Sequence, residues 1–276
     1  MTYREALEEG RAYLEARGVP QPETDAWCLL EHVCGFRRTE YLLRMAQQMD
    51  GQTYTRYQSV LMERGKRIPL QHITGEQEFM GLSFRVNDKV LIPRQDTEIL
   101  VETAMKKAKP GMRVLDLCTG SGCIIISLMK LCPGIVGTAS DISADALEVA
   151  RENAVRMDAA VSFIESDLFE RIHGSFDLIV SNPPYIPTGT IGRLMEEVRL
   201  HDPRTALDGH GDGLYFYREI IGESDLYLKQ GGWLMFEIGS EQGAEVSAMM
   251  RRAGYSRVEV IQDLAGLDRV VIGRRS

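Results

Sequence analysis

Residues 113–131 read RVLDLCTGSGCIIISLMKL, and the fold turns on them. The apolar run 114–118 predicts a strand, and the apolar run 123–131 predicts a helix. Between them lie Cys118, Thr119, Gly120, Ser121 and Gly122. Glycines at such a junction let backbone amides approach a ligand at a helix N-terminus. Without a ligand, the same residues would be an ordinary strand-to-helix turn.

Working outward, the chain after 113 alternates. Strands are expected at 135–140, 162–166, 176–181, 233–238, 258–262 and 269–273, and helices at 144–156, 214–227 and 241–253. This alternation predicts a doubly wound α/β sheet of seven strands, with ligands at the carboxyl ends of the strands. The last two strands follow each other closely, so a hairpin there would set one antiparallel strand into the sheet.

Upstream, residues 1–72 read as a small helical bundle. Ala6, Leu7, Tyr13 and Leu14 fall at roughly helical spacing, and runs 23–34 and 53–66 continue the pattern. Gly18, Pro20 and Pro22 separate the first two helices. Trp27 and the other aromatic residues of this region are expected in its core. Residues 73–93, with Gly75, Gly81 and an Asn87-Asp88 turn among Phe79, Leu82, Phe84 and Val86, suggest a β-hairpin or extended connector. The domain bounds expected are therefore 1–72, 73–93 and 94–276, and Asp96 or Thr97 is expected to cap a helix running to Lys107.

The formal net charge of -8 disfavours a protein whose affinity depends on neutralising many phosphates. The five cysteines form no CxxC pair, and the opening MTYREALEEG is polar and acidic. A reduced, cytoplasmic setting is expected, and no apolar run reaches the ~18 residues of a membrane span.

The glycine loop lacks the GxGxxG of dinucleotide-binding proteins. It is closer to the D-x-G-x-G-x-G loop of S-adenosylmethionine-dependent methyltransferases, with Asp116 leading and Cys118 where the first glycine would stand. That substitution implies that the backbone at 118 is not in a glycine-only conformation. Asp141 follows Asp116 by twenty-five residues and can accept both ribose hydroxyls. Asp167 ends the third strand near the expected adenine amino group, and Leu168 could pack on the adenine face.

The fourth strand runs into Ser181, Asn182, Pro183, Pro184 and Tyr185. Two prolines fix their φ angles and remove two backbone donors. What remains are acceptors, the Asn182 side-chain oxygen and the Pro183 carbonyl. Two acceptors held in a rigid turn can grip a flat NH2 group and aim its nitrogen. Tyr185 offers an aromatic face to a planar amide or base. An amide nitrogen is poorly nucleophilic, so position and electrostatics carry such a transfer, and no dedicated base is needed.

Asn182, Pro183, Pro184 and Tyr185 resemble the NPPY motif of enzymes that methylate exocyclic or amide nitrogens. Three further segments narrow the resemblance: 92–98 (IPRQDTE), 202–209 (DPRTALDG) and 212–214 (DGL). Together they resemble the release factor glutamine methyltransferases, the PrmC/HemK type, over nearly the whole chain. The resemblance implies transfer from S-adenosylmethionine to the glutamine of the Gly-Gly-Gln loop of class 1 peptide chain release factors. The products would be N5-methylglutamine and S-adenosylhomocysteine. By carry-over, Cys118, Thr119, Gly120, Ser121, Gly122, Asp141, Asp167, Leu168 and Asn182 would line the cofactor. Asn182, Pro183, Pro184 and Tyr185 would hold the glutamine, and the helical bundle would help dock the protein substrate. No metal and no membrane are implied. Leu168 stands where the family often has tryptophan.

Other residues stay open. Arg94, Thr97 and Glu98 either touch the cofactor or order the site, or simply start a helix with a solvated face. Glu237 either borders the site or pairs with a buried cation. His201 and His210 read as surface or capping residues. Three rival functions also remain: an adenine or cytosine amino-methyltransferase acting on nucleic acid, a cofactor-binding partner protein without turnover, and an NAD(P)-dependent oxidoreductase. The acidic balance counts against the first, the intact Asn-Pro-Pro-Tyr against the second, and the missing GxGxxG against the third.

Overall fold

The computed structural model of the chain describes all 276 residues, which fall into two compact units. One comprises Met1–Glu76 together with Met195–His201; the other comprises Gln77–Leu194 and Asp202–Ser276.

The first unit is helical, with α1 (Tyr3–Glu15), α2 (Pro22–Cys34), α3 (Arg38–Arg44), α4 (Gly51–Gly65) and α5 (Leu70–Thr74). Thr2 and Glu5 form a capping box that starts α1. Gly18, at φ 68°, turns the chain out of α1, and Pro22 opens α2 at a position where a missing N–H costs nothing. Leu14, Leu29, Leu30 and Tyr57 are fully buried, and the Tyr57 hydroxyl donates to the Ala26 carbonyl at 2.9 Å. Trp27 packs edge-on to Tyr41 at the border of this core.

The second unit opens with a hairpin, β1 (Glu76–Phe79) and β2 (Leu82–Arg85). Met80 and Gly81 both have positive φ, 53° and 71°, as a two-residue type I′ turn requires. After α6 (Gln95–Met105) the chain alternates through β3 (Arg113–Leu117), α7 (Cys123–Leu131), β4 (Val136–Asp141), α8 (Ala144–Arg156), β5 (Val161–Glu165) and β6 (Phe176–Ser181). Beyond β6 come a 3₁₀ turn (Thr188–Arg193), α9 (Glu196–His201), which belongs to the helical unit, and α10 (Arg204–Leu207). The chain ends with α11 (Tyr215–Tyr227), β7 (Leu228–Glu237), α12 (Gly243–Arg252), β8 (Ser256–Gln262) and β9 (Asp268–Arg274).

The seven strands β3 to β9 form one sheet in the order β5-β4-β3-β6-β7-β9-β8. All neighbours are parallel except β9, which runs antiparallel to both β7 and β8. This is the expected doubly wound sheet with one reversed strand. Strand order reverses between β3 and β6, the place where a ligand crevice opens. Each face is sealed by a helical layer. Leu100, Val101 and Ile125 pack on one side, and Tyr217, Ile220, Val246 and Met250 on the other. Burying each such side chain contributes roughly 1.5–3 kcal/mol.

Two local expectations are corrected. Neither Asp96 nor Thr97 caps α6; the helix starts at Gln95 with Arg94 as N-cap, and it stops at Met105. Strand β7 begins at Leu228, five residues before the expected start, because Gly231 and Gly232 lie inside it. A Cβ at Gly232 would stand 2.9 Å from the carbonyl oxygens of Asp177 and Lys229, so only glycine lets the backbones approach there.

Candidate active site

At the carboxyl ends of β3, β4, β5 and β6 lies a cavity of about 510 Å³. Its walls include Cys118, Thr119, Gly120, Ser121, Asp141, Asp167, Leu168, Asn182 and Pro184. The sequence-predicted residues Gly122, Pro183 and Tyr185 do not line it. Gly122 caps α7, and a Cβ there would meet Ile126 at 2.8 Å and Ala150 at 3.2 Å, so this glycine serves helix packing.

The glycine loop is shaped by its neighbours. Thr119 N–H donates to the Ser140 carbonyl at 3.0 Å. Asp141 accepts from the Gly120 amide at 2.9 Å through one carboxylate oxygen and from the Ser143 amide at 3.0 Å through the other. Each oxygen keeps a second acceptor direction. Burial raises the Asp141 carboxyl above its ordinary range, and these amides oppose the rise. Asn153, fully buried, donates to the Ser121 carbonyl and the Arg85 carbonyl, both at 3.0 Å, fastening loop to connector.

The expectation for the backbone at 118 is overturned. Cys118 has φ 59°, inside the left-handed region that favours glycine, and Leu168 has φ 41°. Both departures from the family pattern therefore sit on strained backbone. Burial holds the Cys118 thiol in its neutral form.

Behind the cavity stands the 182–185 turn. The Asn182 amide nitrogen donates to Thr97 Oγ1 at 3.3 Å. The Tyr185 hydroxyl donates to Glu237 at 3.3 Å, and the Tyr185 carbonyl accepts from Gln242 at 3.0 Å. Tyr185 is thus turned into the protein, with its ring against the core layer of α11. The aromatic surface on the cavity wall belongs to Tyr215 and Phe216, with the His210 ring 4.4 Å from Tyr215 and 5.6 Å from Phe216. His210, expected as a surface or capping residue, is exposed and also lines the cavity.

Segment 202–214 clasps this turn. Ile186 N–H donates to Leu207 at 3.0 Å, and Gly209 N–H donates back to Ile186 at 2.8 Å. A Cβ at Gly209 would stand 2.7 Å from the Tyr185 Cα, and one at Gly213 would strike the Tyr185 carbonyl. Asp202, buried, pairs with Arg94 at 2.7 Å and so joins the clasp to the start of α6. Burial pushes the Asp202 carboxyl up to about 6, with Arg94 opposing the rise. Arg94 and Thr97 line the cavity, whereas Glu98 turns to the hairpin and accepts from the Met80 amide at 2.6 Å. The sequence leaves Glu237 open between bordering the site and pairing with a buried cation, and the structure sets it against the Tyr185 hydroxyl. Gln242, Tyr215 and Phe216 carry no signal of their own beyond the nearby DPRTALDG and DGL segments.

The cavity suits S-adenosylmethionine. Ser121 Oγ, buried on its wall, has no hydrogen-bond partner, and the Asp141 carboxylate faces it with acceptor capacity to spare. A doubly wound seven-stranded sheet with one reversed strand, a glycine loop after its first strand and Asn-Pro-Pro-Tyr after its fourth define a class I S-adenosylmethionine-dependent methyltransferase.

Comparison with known proteins narrows the class. A family model described as the PrmC N-terminal domain matches residues 5–75, and one described as the methyltransferase small domain matches 94–215. The release factor glutamine methyltransferase of Geobacter sulfurreducens is 42% identical, over 99% of this chain and 96% of that protein. That of Deinococcus radiodurans is 40% identical, over 100% of this chain and 99% of that protein. A methyltransferase from Pyrococcus furiosus shares the fold, with a TM-score of 0.54 and 19% identity over 71% of this chain and 90% of that one. The chain belongs to the release factor glutamine methyltransferase family.

Proposed function

We propose that this protein transfers the methyl group of S-adenosylmethionine to the side-chain amide nitrogen of the glutamine in the Gly-Gly-Gln motif of class 1 peptide chain release factors. The products are N5-methylglutamine and S-adenosylhomocysteine. One observation carries the reading: the Asn182 side chain stands on the wall of the same cavity as the glycine loop and Asp141.

Bound S-adenosylmethionine supplies a sulfonium methyl that needs no further activation. Asp141 would accept the ribose hydroxyls, residues 118–121 would border the methionine end, and Asp167 and Leu168 would border the adenine. Asn182 Oδ1, on the cavity wall, accepts an N–H of the substrate amide; the Pro183 carbonyl, expected to share the grip, does not line the cavity. This grip aims the nitrogen along the line of displacement and stabilises the positive charge that grows on it. The N–C bond forms as the S–C bond breaks, and the nitrogen then loses a proton to water. Residues 1–72 serve to dock the release factor, and the setting is cytoplasmic. No helix is long and apolar enough to cross a membrane.

The test is incubation with labelled cofactor and either a purified release factor or DNA, followed by mass spectrometry. A single methyl on the Gly-Gly-Gln glutamine is the expected result. Label found only in nucleic acid would overturn the reading.

A further inference from the structure

Glu237 ends β7 and is 2% exposed. Its carboxyl lies behind the 182–185 turn. One oxygen accepts from the Tyr185 hydroxyl at 3.3 Å, and the other has no hydrogen-bond partner. The Thr97 hydroxyl neighbours this carboxyl and favours its ionised form. Thr97 Oγ1 in turn accepts from the Asn182 amide nitrogen at 3.3 Å. A line of side chains therefore runs from a buried carboxyl, through a hydroxyl, to the amide on the cavity wall.

A hydroxyl between a carboxylate and an amide has one consistent polarity. With its lone pair given to the amide NH2, its proton is free to turn toward the anion beside it. Asn182 must then turn Oδ1 to the cavity. Protonation of Glu237 permits the reverse. The carboxyl would donate to Thr97, Thr97 would donate to Asn182 Oδ1, and the cavity would meet an NH2. A substrate NH2 would then face a donor instead of an acceptor.

We propose that Glu237 is a positioning residue for methyl transfer: as a carboxylate it fixes, through Thr97, which end of the Asn182 amide meets the substrate nitrogen. The inference rests on the role given to Asn182 above and adds the residue that enforces it. The buried negative charge also sits behind the atoms where positive charge develops.

The groups facing Glu237 come from five elements. Asp96 of α6 opposes its ionisation, and Arg269 of β9 supports it. Tyr185 donates to its carboxyl, Tyr217 of α11 donates to its main-chain carbonyl at 2.9 Å, and Cys123 of α7 senses its charge. Burial is the largest influence and pushes the carboxyl up to about 7. The orientation of Asn182 is therefore set by pH within the range where the enzyme can be assayed.

The experiment measures methylation of a purified class 1 release factor from about pH 6 to about pH 9. Wild type is expected to lose kcat on the acid side, with a midpoint near 7. Glu237→Gln is expected to lower kcat at least about tenfold and to abolish that acid limb, with KM and S-adenosylhomocysteine affinity within about twofold. Thr97→Val should reproduce the loss and Thr97→Ser should restore most of the rate, because only the hydroxyl is required. The threonine pair carries the test if Glu237→Gln fails to bind S-adenosylhomocysteine. An unchanged kcat and acid limb in Glu237→Gln, or wild-type turnover by Thr97→Val, would overturn the assignment and leave the methyltransferase reading standing. A wild-type enzyme that binds the cofactor yet methylates no release factor would overturn that reading, and this inference with it.

Discussion

Cys118 holds a backbone conformation that costs an L-residue about 1–2 kcal/mol. It persists because the next two amides are spoken for, Thr119 by Ser140 and Gly120 by Asp141. Asp141 closes the loop, and in the proposed function it also presents acceptors to the ribose. Asp141→Ala removes both, so calorimetry with S-adenosylhomocysteine should show affinity weakened by ~2–3 kcal/mol, roughly 30- to 150-fold. An unchanged dissociation constant would mean that the carboxylate does not meet the ribose. In the proposed function Asn182 acts on the other substrate. Asn182→Ala should lower kcat by about 10²- to 10³-fold, the usual effect of removing one preorganised electrostatic partner, with cofactor affinity nearly intact. Comparable turnover by that variant would refute the role given to its oxygen.

Among the elements, the clasp around residues 182–185 is the most constrained. Gly209→Ala would drive a methyl group to 2.7 Å from the Tyr185 Cα, in a region where backbone meets backbone and no side chain can swing away. The expected outcome is a loss of about 1–3 kcal/mol in thermal unfolding together with a disproportionate loss of kcat, because the displaced atoms carry Asn182. A variant with wild-type kcat would show that the clasp does not position the turn. This clasp also marks where sequence reading stopped. Helices α7 and α8 were legible to the residue, since a full apolar stripe and clear ends write them into the chain. Helices α3, α5, α9 and α10 span only four to seven residues and owe their form to tertiary contacts, so no periodicity announces them. The same distinction holds within the site. Asn182, Asp141 and the 118–122 loop were visible as contiguous motifs. Thr97 and Glu237 were candidates with open roles and Gln242 carried no signal; their places follow from the ends of β7, α6 and the loop before α12 converging on one turn. Tyr185 was visible too, but nothing in the motif says which way its ring faces; that is decided by Glu237.

At the scale of the whole molecule, the chain leaves the catalytic unit after Leu194, contributes α9 to the helical unit and returns at Asp202. Within the helical unit, Glu197 of α9 meets two guanidinium groups, Arg64 at 3.0 Å and Arg67 at 2.7 Å. Arg64 is almost wholly buried and also binds Asp25 at 2.7 Å. Arg64 keeps Asp25 and Arg67 keeps the more distant Glu196, so Glu197→Gln removes charge-assisted hydrogen bonds without stranding a buried charge and should destabilise the helical unit by about 2 kcal/mol at pH 7. The pH dependence has a definite sign. Although burial works to raise it, the Arg67 and Arg64 hydrogen bonds bring the Glu197 carboxyl down to about 2 from an ordinary 4.5. Its stabilisation is therefore complete above pH 4.5 and fades as pH falls from 4.5 toward 2. Each unit holds one tryptophan, Trp27 and Trp233, so urea unfolding followed by fluorescence in a Trp233→Phe background reports the helical unit alone. The gap between variant and parent should be full at pH 7 and narrow below pH 4.5. A gap that stayed constant across that range would mean that Glu197 acts through its shape, and that its charge does not hold the segment after the site in the helical unit.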